Sequence, residues 1–519
     1  MLYSKLIIAV TTVAGITAFS RILGFIRDIL FAAFLGATST ADAFIVAFRI
    51  PNLLRRLFAE GAFNSAFLPL FTKYIEDKGK IFALNFAGAV ASYLLIALAV
   101  IVVLGEIYME LIVSILAPGY KTDLKKFNDT IYYGRLMFPY IISISISALL
   151  GGILNSIEKF AAWAFVPVVL NVFMITAMLI SVYNASLPVV FLAWSVPLSG
   201  VANLLLMAWI VWRSSFSFNL RLPKFNPRIR EFLVLFAPGI LGAGIIQINQ
   251  LIGTIFASNI PGAVSWLYYA DRVAQLPLGI VGIAISTALL PILSKYIAQE
   301  EFSQASAEIG KAIFISLIFS IPSVIALVVI PDIIINVLFN RGSFGLGDSR
   351  ATSVALAAYA LGIPAFMLSR ILSVIFFARR DTLTPVLVAL ASLIIHAYLA
   401  WLLVGKIGHI GVALALSISS WANTFFLLII IIYKKFWYIS LIHLYTLIKL
   451  FFASIFMGVI LVYMEKELLL LVSNILEKNT LGQALVLLVL IFSGIVSYFI
   501  SALFLGVFKY TDLKRYLKK

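Results

Sequence analysis

The chain has no cysteine. That excludes a disulfide framework, a thiolate metal site and a thiol nucleophile. Histidine is nearly absent as well. His396, His409 and His443 are scattered over the last quarter, and they are expected as polar residues near helix ends, not as metal ligands. Charge is the third scarcity. Only 12% of the 519 residues are charged, against about 25% in soluble domains, which excludes an ordinary soluble globule. There is no Walker motif, no HExxH and no Gly-rich phosphate loop, so nothing supports ATP hydrolysis or zinc hydrolysis in this chain. The apolar spans contain no paired carboxylates without adjacent arginines, which argues against acid–base catalysis. No cofactor and no catalytic residue is expected.

What the chain has is apolar length: 63% of residues are hydrophobic. A spanning helix needs roughly 20 apolar residues, and fourteen stretches qualify. They lie at 5–33, 41–71, 81–117, 130–155, 161–183, 187–212, 231–257, 264–294, 312–339, 351–378, 384–404, 410–433, 444–464 and 481–508. The first begins like a signal peptide but runs on into SRILGFIRD without a small-residue cleavage site, so it is expected to be a retained span. The net charge of +16 would suggest nucleic acid in a soluble protein. Here it follows from Lys and Arg collecting in cytoplasmic loops, and no nucleic acid partner is expected. Loops on the side of the termini carry well over twice the Lys and Arg of the opposite loops, which places both termini in the cytoplasm. The longest hydrophilic connection, RSSFSFNLRLPKFNPRIR at 213–230, reads as a basic cytoplasmic linker.

A repeat organises the chain. A gapless shift of 222 residues lays AFLPLFTKY (66–74) on ALLPILSKY (288–296). Six spans separate the copies, so both cross the membrane in the same sense, as in two-lobed transporters. Pro139 and Pro364 extend the match weakly. The expected fold is all-α and polytopic, with fourteen transmembrane helices. Two six-helix lobes form a parallel pseudo-two-fold repeat, and two further helices follow. The expected division is an N-terminal lobe at 1–213, a linker at 214–230, a C-terminal lobe at 231–435, and two extra helices with a basic tail at 436–519.

Charges inside the spans concentrate in the first, second and eighth helices: Arg21, Arg27, Arg49, Arg55, Arg56 and Arg272. A charge at the bilayer centre costs about 2.5–3.5 kcal/mol on insertion scales, so such residues are functional candidates. On the first helix Thr17, Ser20, Arg21, Gly24, Arg27 and Asp28 share about a third of the circumference. Asp28 is available to staple Arg21. On the second, Asp42, Arg49 and Arg56 recur every seven residues, with Glu60 four beyond Arg56 and a break at Pro51. Pairs Asp42–Arg49 and Arg56–Glu60 are expected, leaving Arg55 as the better ligand. On the eighth, Ser265, Tyr268, Arg272, Gln275, Gly279 and Ser286 share a face, with Asp271 beside Arg272 as its expected neighbour and breaks at Pro277, Gly279 and Gly282. Guanidinium forks match phosphate oxygens, so the expected substrate-binding residues are Arg21, Arg27, Arg55 and Arg272 and the expected ligand is a diphosphate. Asp28, Asp42, Arg49, Glu60, Ser265 and Gln275 are expected to line or gate the cavity. Asp381, in RRDTLTP at 379–385, is expected to cap a helix, with cation binding as the alternative.

The motifs SRILGFIRD (20–28), ADAFIVAFRIPNLLRRLFAEGAFNSAFLPLF (41–71), APG (117–119), FPY (138–140) and SWLYYADRVAQLPLGIVGIAISTALLPILSK (265–295) resemble the MurJ/MviN lipid II flippases of bacterial peptidoglycan synthesis, over essentially the whole chain. The resemblance implies a MATE-like fold of the MOP exporter superfamily. It implies a flippase and not an enzyme, moving undecaprenyl-diphosphate-linked disaccharide-pentapeptide (lipid II) to the outer leaflet of the inner membrane by alternating access. The family's required arginines match Arg21, Arg27, Arg55 and Arg272, and its helix-two aspartate matches Asp42. Its last two helices, matching about 444–508, suit the lipid tail. Some members carry an acid where Gln275 stands. Some bind sodium through an aspartate on the seventh helix, but 231–257 offers only Glu231 at its edge, so no metal site is expected. Expected partners are lipid II, membrane lipids and cell-wall synthesis enzymes, around a monomer. Alternatives are an exporter of another polyprenyl-diphosphate oligosaccharide, a drug exporter, a polytopic polyprenyl-phosphate glycosyltransferase, and a scaffold for wall-synthesis enzymes. A drug exporter would favour acidic cavity residues, a glycosyltransferase lacks its catalytic acid here, and a scaffold leaves the arginines without a purpose.

Overall fold

The computed structural model of the chain describes residues 2–56, 62–183, 188–217, 220, 227–438, 441–475 and 480–507, and among these there is no strand. The expectation of an all-α protein is met. Two compact units divide the chain between Ser265 and Trp266.

The first unit contains α1 (Leu2–Leu35), α2 (Ser39–Arg55), α3 (Ala62–Lys78), α4 (Lys80–Ile107), α5 (Met109–Leu116), α6 (Leu124–Met137), α7 (Tyr140–Ser156), α8 (Phe160–Ala164), α9 (Val166–Tyr183), α10 (Pro188–Arg213) and α11 (Pro227–Ala257). The dividing point falls inside α12 (Ala263–Pro277). The second unit continues through α13 (Ile283–Ala298), α14 (Phe302–Val329), α15 (Pro331–Phe339), α16 (Leu346–Ala360), α17 (Ile363–Phe377), α18 (Leu383–Ile407), α19 (His409–Tyr433), α20 (Leu441–Ile475) and α21 (Thr480–Phe504).

Ten helical stretches among the described residues are long and apolar enough to cross a bilayer. They overlie ten of the fourteen expected spans. The other four fall on α1, α2 with α3, α11, and α12 with α13. Among these helices are those that carry Arg21, Arg27, Arg49, Arg55 and Arg272.

The 222-residue shift is visible in element boundaries as well as in letters. It lays α4 (80–107) on α14 (302–329) from end to end. Each is followed by a short helix, then by a pair broken near a proline. Pro139 caps α7, and Pro364 occupies its first turn in α17. The joints match too. Gly79, with φ +82°, separates α3 from α4, and Glu300, with φ +59°, separates α13 from α14. Glu158 and Arg380, 222 residues apart, both take φ +62°. A left-handed residue ends the preceding helix and reverses the chain. The repeat assigns α11 to the second copy, while α11 packs on α3 and α4 within the first unit.

Each unit has its own core. In the first, Phe63, Phe67 and Phe71 follow one another at i, i+4 on α3 and stack, with Phe86 against Phe67. Phe232 and Phe236 of α11 meet Phe63 edge-on. In the second, Leu293, Ile309, Ile371, Ile375 and Phe376 are fully buried in one cluster. A second cluster joins α20 and α21 to α14 through Leu450, Ala453, Leu490 and Leu317.

Candidate functional site

The polar stripe of α1 forms as its periodicity requires, but its pairing differs from expectation. Arg27 donates to Asp28 Oδ1 from both Nε (3.0 Å) and Nη2 (2.7 Å). Its Nη1 donates to Asn171 Oδ1 on α9 at 2.9 Å. Asn171 in turn donates from Nδ2 to the Ser20 carbonyl at 3.1 Å. Asp28, expected to staple Arg21, is thus engaged by Arg27, whose fork reaches the nearer carboxylate. Arg21 is exposed and has no hydrogen bond or ion pair among the described residues. One carboxylate against two guanidiniums leaves excess positive charge on this stripe. Asn171 was not singled out in the sequence. Its signal was an amide inside an otherwise apolar span.

A second cluster forms around Asp42, which is fully buried. Its Oδ2 takes the Lys126 Nζ at 2.5 Å and the Gly262 amide at 3.0 Å. Its Oδ1 accepts from the Ser265 amide at 2.9 Å and the Ser265 hydroxyl at 2.6 Å. Gly262, at φ +80°, turns the chain into α12, so its amide and that of Ser265 are unsatisfied groups of a helix start. A carboxylate there meets both the free N–H groups and the positive end of the helix dipole. Lys126 completes the neutralisation and lies 4.1 Å from the Tyr120 ring centroid. The expected Asp42–Arg49 pair is not made, because the carboxylate is already saturated. Arg49 instead donates to Thr254 on α11. Asp42 and Ser265 were read from the sequence as gating residues. Lys126 was missed because it sits among loop lysines, with nothing local to mark it as buried.

Further along α2, Pro51 lies within the helix, which ends at Arg55. Arg55 Nε donates to Asn52 Oδ1 at 3.1 Å. Arg56 donates to Gln250 on α11 at 2.9 Å, and Glu60 lies outside the described residues. Asp42 and Arg55 stand about 20 Å apart along the helix at 1.5 Å per residue. The Asp42 cluster and the arginine end of α2 are therefore separate places.

In the second unit, Arg272 stacks on Tyr268, its Cζ 4.7 Å from the ring centroid. The expected Asp271 partnership is replaced by a hydrogen bond from Gln275 Nε2 to Asp271. Beyond Pro277 the helix loosens into a π-turn at Leu278–Gly282, at the expected break. The Asp381 carboxylate accepts from the Thr384 amide (3.0 Å) and hydroxyl (2.7 Å) and pairs with Lys434 at 3.1 Å. It is the expected cap. Among the described residues no group of three or more His, Asp or Glu is placed to hold a metal.

Two guanidiniums against one carboxylate on α1 can bind an anion. The family model "Lipid II flippase MurJ" matches residues 31–482. A probable lipid II flippase MurJ of Rhizobium tropici is 37% identical over 514 residues, covering 97% of this chain and 96% of its own. The lipid II flippase MurJ of Burkholderia cenocepacia is 34% identical, covering 81% of this chain and 82% of its own. A solved lipid II flippase MurJ in an inward closed conformation superposes with TM-score 0.79 at 25% identity, over 96% of this chain and 99% of that one. An inward-facing multidrug resistance MATE transporter shares the fold at TM-score 0.68 and 16% identity, over 82% of this chain and 97% of that one.

Proposed function

The chain belongs to the lipid II flippase MurJ family, and we propose from that premise that it carries lipid II from the inner to the outer leaflet of the bacterial cytoplasmic membrane. The observation that carries this reading is the excess positive charge on α1. Arg27 is fixed by Asp28 and Asn171, and Arg21 stands exposed one to two turns before it. Bare guanidinium in a spanning helix is costly, and a diphosphate is the ligand that offsets this cost by bidentate, charge-assisted bonds.

In this reading Arg21, Arg27 and Arg55 bind the diphosphate, and Arg272 is a further substrate-binding residue. The lobes follow the repeat, at 1–213 and 231–435, and alternate in access. Both termini lie in the cytoplasm, which puts the turn before α2, and with it the Asp42 cluster, at the outward end. Asp42, held on the start of α12, closes that end, with Arg49 and Ser265 as gate or cavity residues beside it and Gln275 as a further cavity residue. The polyprenyl tail runs along α20 and α21. The protein acts as a monomer, surrounded by membrane lipids and in reach of cell-wall synthesis enzymes. An inside-negative potential, worth about 2.3 kcal/mol per charge per 100 mV, favours outward movement of the anionic head.

The test is the accessibility of lipid II in the outer leaflet after depletion, with complementation by variants. Wild-type chain restores accessibility and Arg27→Ala does not, although it inserts normally. Full restoration by both Arg27→Ala and Arg272→Ala overturns the reading.

A further inference from the structure

At the N-terminal side of the arginine stripe, the first unit contains a cavity of about 350 Å³ that the sequence did not announce. Thr17 and Ser20 of α1, Asn155 at the end of α7, and Phe160 and Trp163 of α8 line it. Val13, Thr17, Ser20, Gly24 and Arg27 succeed one another at spacings of three and four residues. They form one row along the helix, so the cavity and the Arg27–Asn171 pair share a face. The Asn171 amide links them by its bond to the Ser20 carbonyl.

Two polar groups of the cavity lack partners among the described residues. Asn155 Oδ1 is buried and accepts no hydrogen bond. The Ser20 hydroxyl makes none among the described residues, whereas Thr17 spends its proton on the Val13 carbonyl at 2.7 Å and retains acceptor capacity. A buried acceptor left unmade is rare in native proteins and points to a donor that arrives. Phe160 and Trp163 add aromatic faces. Trp163 is itself fixed, since its ring occupies the space where a side chain on Gly151 would stand, 2.7 Å from a Cβ there.

We propose that this cavity is the saccharide-recognition site of the transporter. Hydroxyl and amide groups of the first sugar bond to Asn155, Ser20 and Thr17 while its C–H faces lie on Phe160 and Trp163. Arg21, directly after Ser20 in the chain, and Arg27, about 10 Å along the helix from Ser20, then hold the diphosphate that bears the sugar. The volume lies at the lower end of small-molecule sites, about 300–1,000 Å³, which suits one sugar ring and not a whole disaccharide-peptide. The proposal rests on the reading that the cargo is a polyprenyl-linked diphosphate saccharide. It adds that the sugar is recognised at the inward part of α1 by groups distinct from the arginines.

The test is equilibrium binding of two ligands to the full chain in nanodiscs: lipid II, and undecaprenyl diphosphate, which has the same tail and diphosphate but no sugar. Wild-type protein is expected to prefer lipid II. Asn155→Leu should weaken lipid II about tenfold, the worth of one sugar donor left without its acceptor, and leave undecaprenyl diphosphate unchanged. Phe160→Ala, at a residue 37% exposed, should act in the same selective way. Arg27→Ala should weaken both ligands. Equal binding of the two ligands by wild type, or equal loss of both in Asn155→Leu and Phe160→Ala, overturns the saccharide site. Unchanged binding of both in Arg27→Ala overturns the arginine reading instead.

Discussion

Lys126 Nζ stands 2.5 Å from Asp42 Oδ2, with the lysine side chain 6% and the aspartate 0% exposed. Removing one partner of such a pair leaves a buried charge unmatched, at a cost of about 3–5 kcal/mol. Lys126→Met and Asp42→Asn should therefore each lower the thermal unfolding temperature in detergent sharply. The double variant should lose much less than the sum, because the two residues act on one interaction. Strict additivity would show that the pair is not a unit.

Arg27 makes two bonds to Asp28 and a third to Asn171, a geometry that only a planar fork supplies. Arg27→Lys should fail in complementation nearly as fully as Arg27→Ala. Asn171→Ala removes one bond to a charged group, about 1.5–3 kcal/mol, and should give slow but measurable transport. Wild-type transport in Arg27→Lys would remove the requirement for the fork.

Gly119 donates its amide to Ser258 Oγ at 3.1 Å. A Cβ at Gly119 would lie 2.4 Å from the Ser258 carbonyl oxygen, a backbone atom that cannot swing aside. Gly119→Ala should destabilise by about 1–3 kcal/mol. Gly347→Ala, where nothing lies within 4 Å, is the neutral control. Equal unfolding temperatures for both variants would contradict the close approach.

Outside the spans, hydrogen bonds from Thr384 and the nearby Lys434 hold the Asp381 carboxyl below its ordinary range. Its contribution is present in full above the unfolded carboxylate value, about 3.9, and is lost as pH falls through the lower folded value. The difference in unfolding temperature between wild type and Asp381→Asn should be flat from pH 7 to about 5 and shrink below about 4. A difference independent of pH down to pH 3 would mean that the charge is not what stabilises the turn.

The helical spans, the break at Pro277 and the 222-residue repeat were legible in the chain, because each is local or periodic, whereas the break expected at Pro51 does not form and α2 runs through it to Arg55. The apolar length that crosses a bilayer is a property of a segment. A left-handed joint such as Glu158 or Arg380 keeps its place in a repeat even when its side chain changes. The stripe of α1 was legible for the same reason, since 3.6-residue periodicity alone puts Thr17, Ser20, Arg21, Gly24, Arg27 and Asp28 on one side.

Partnership was not legible. The sequence offered Asp42 one candidate by spacing on its own helix, Arg49, and the fold supplied Lys126 from 84 residues away and two amides from more than 200 residues away. It offered Asp28 to Arg21, and the fold gave it to Arg27, with Asn171 of α9 alongside. A charge removed from water must be met by whatever group packing brings within about 3 Å, and packing joins residues that share no local pattern. The sequence by itself determined that this chain crosses a membrane many times and carries arginine where lipid forbids it. Only the tertiary structure decided which charges are satisfied within the protein, and where a cavity lies beside them.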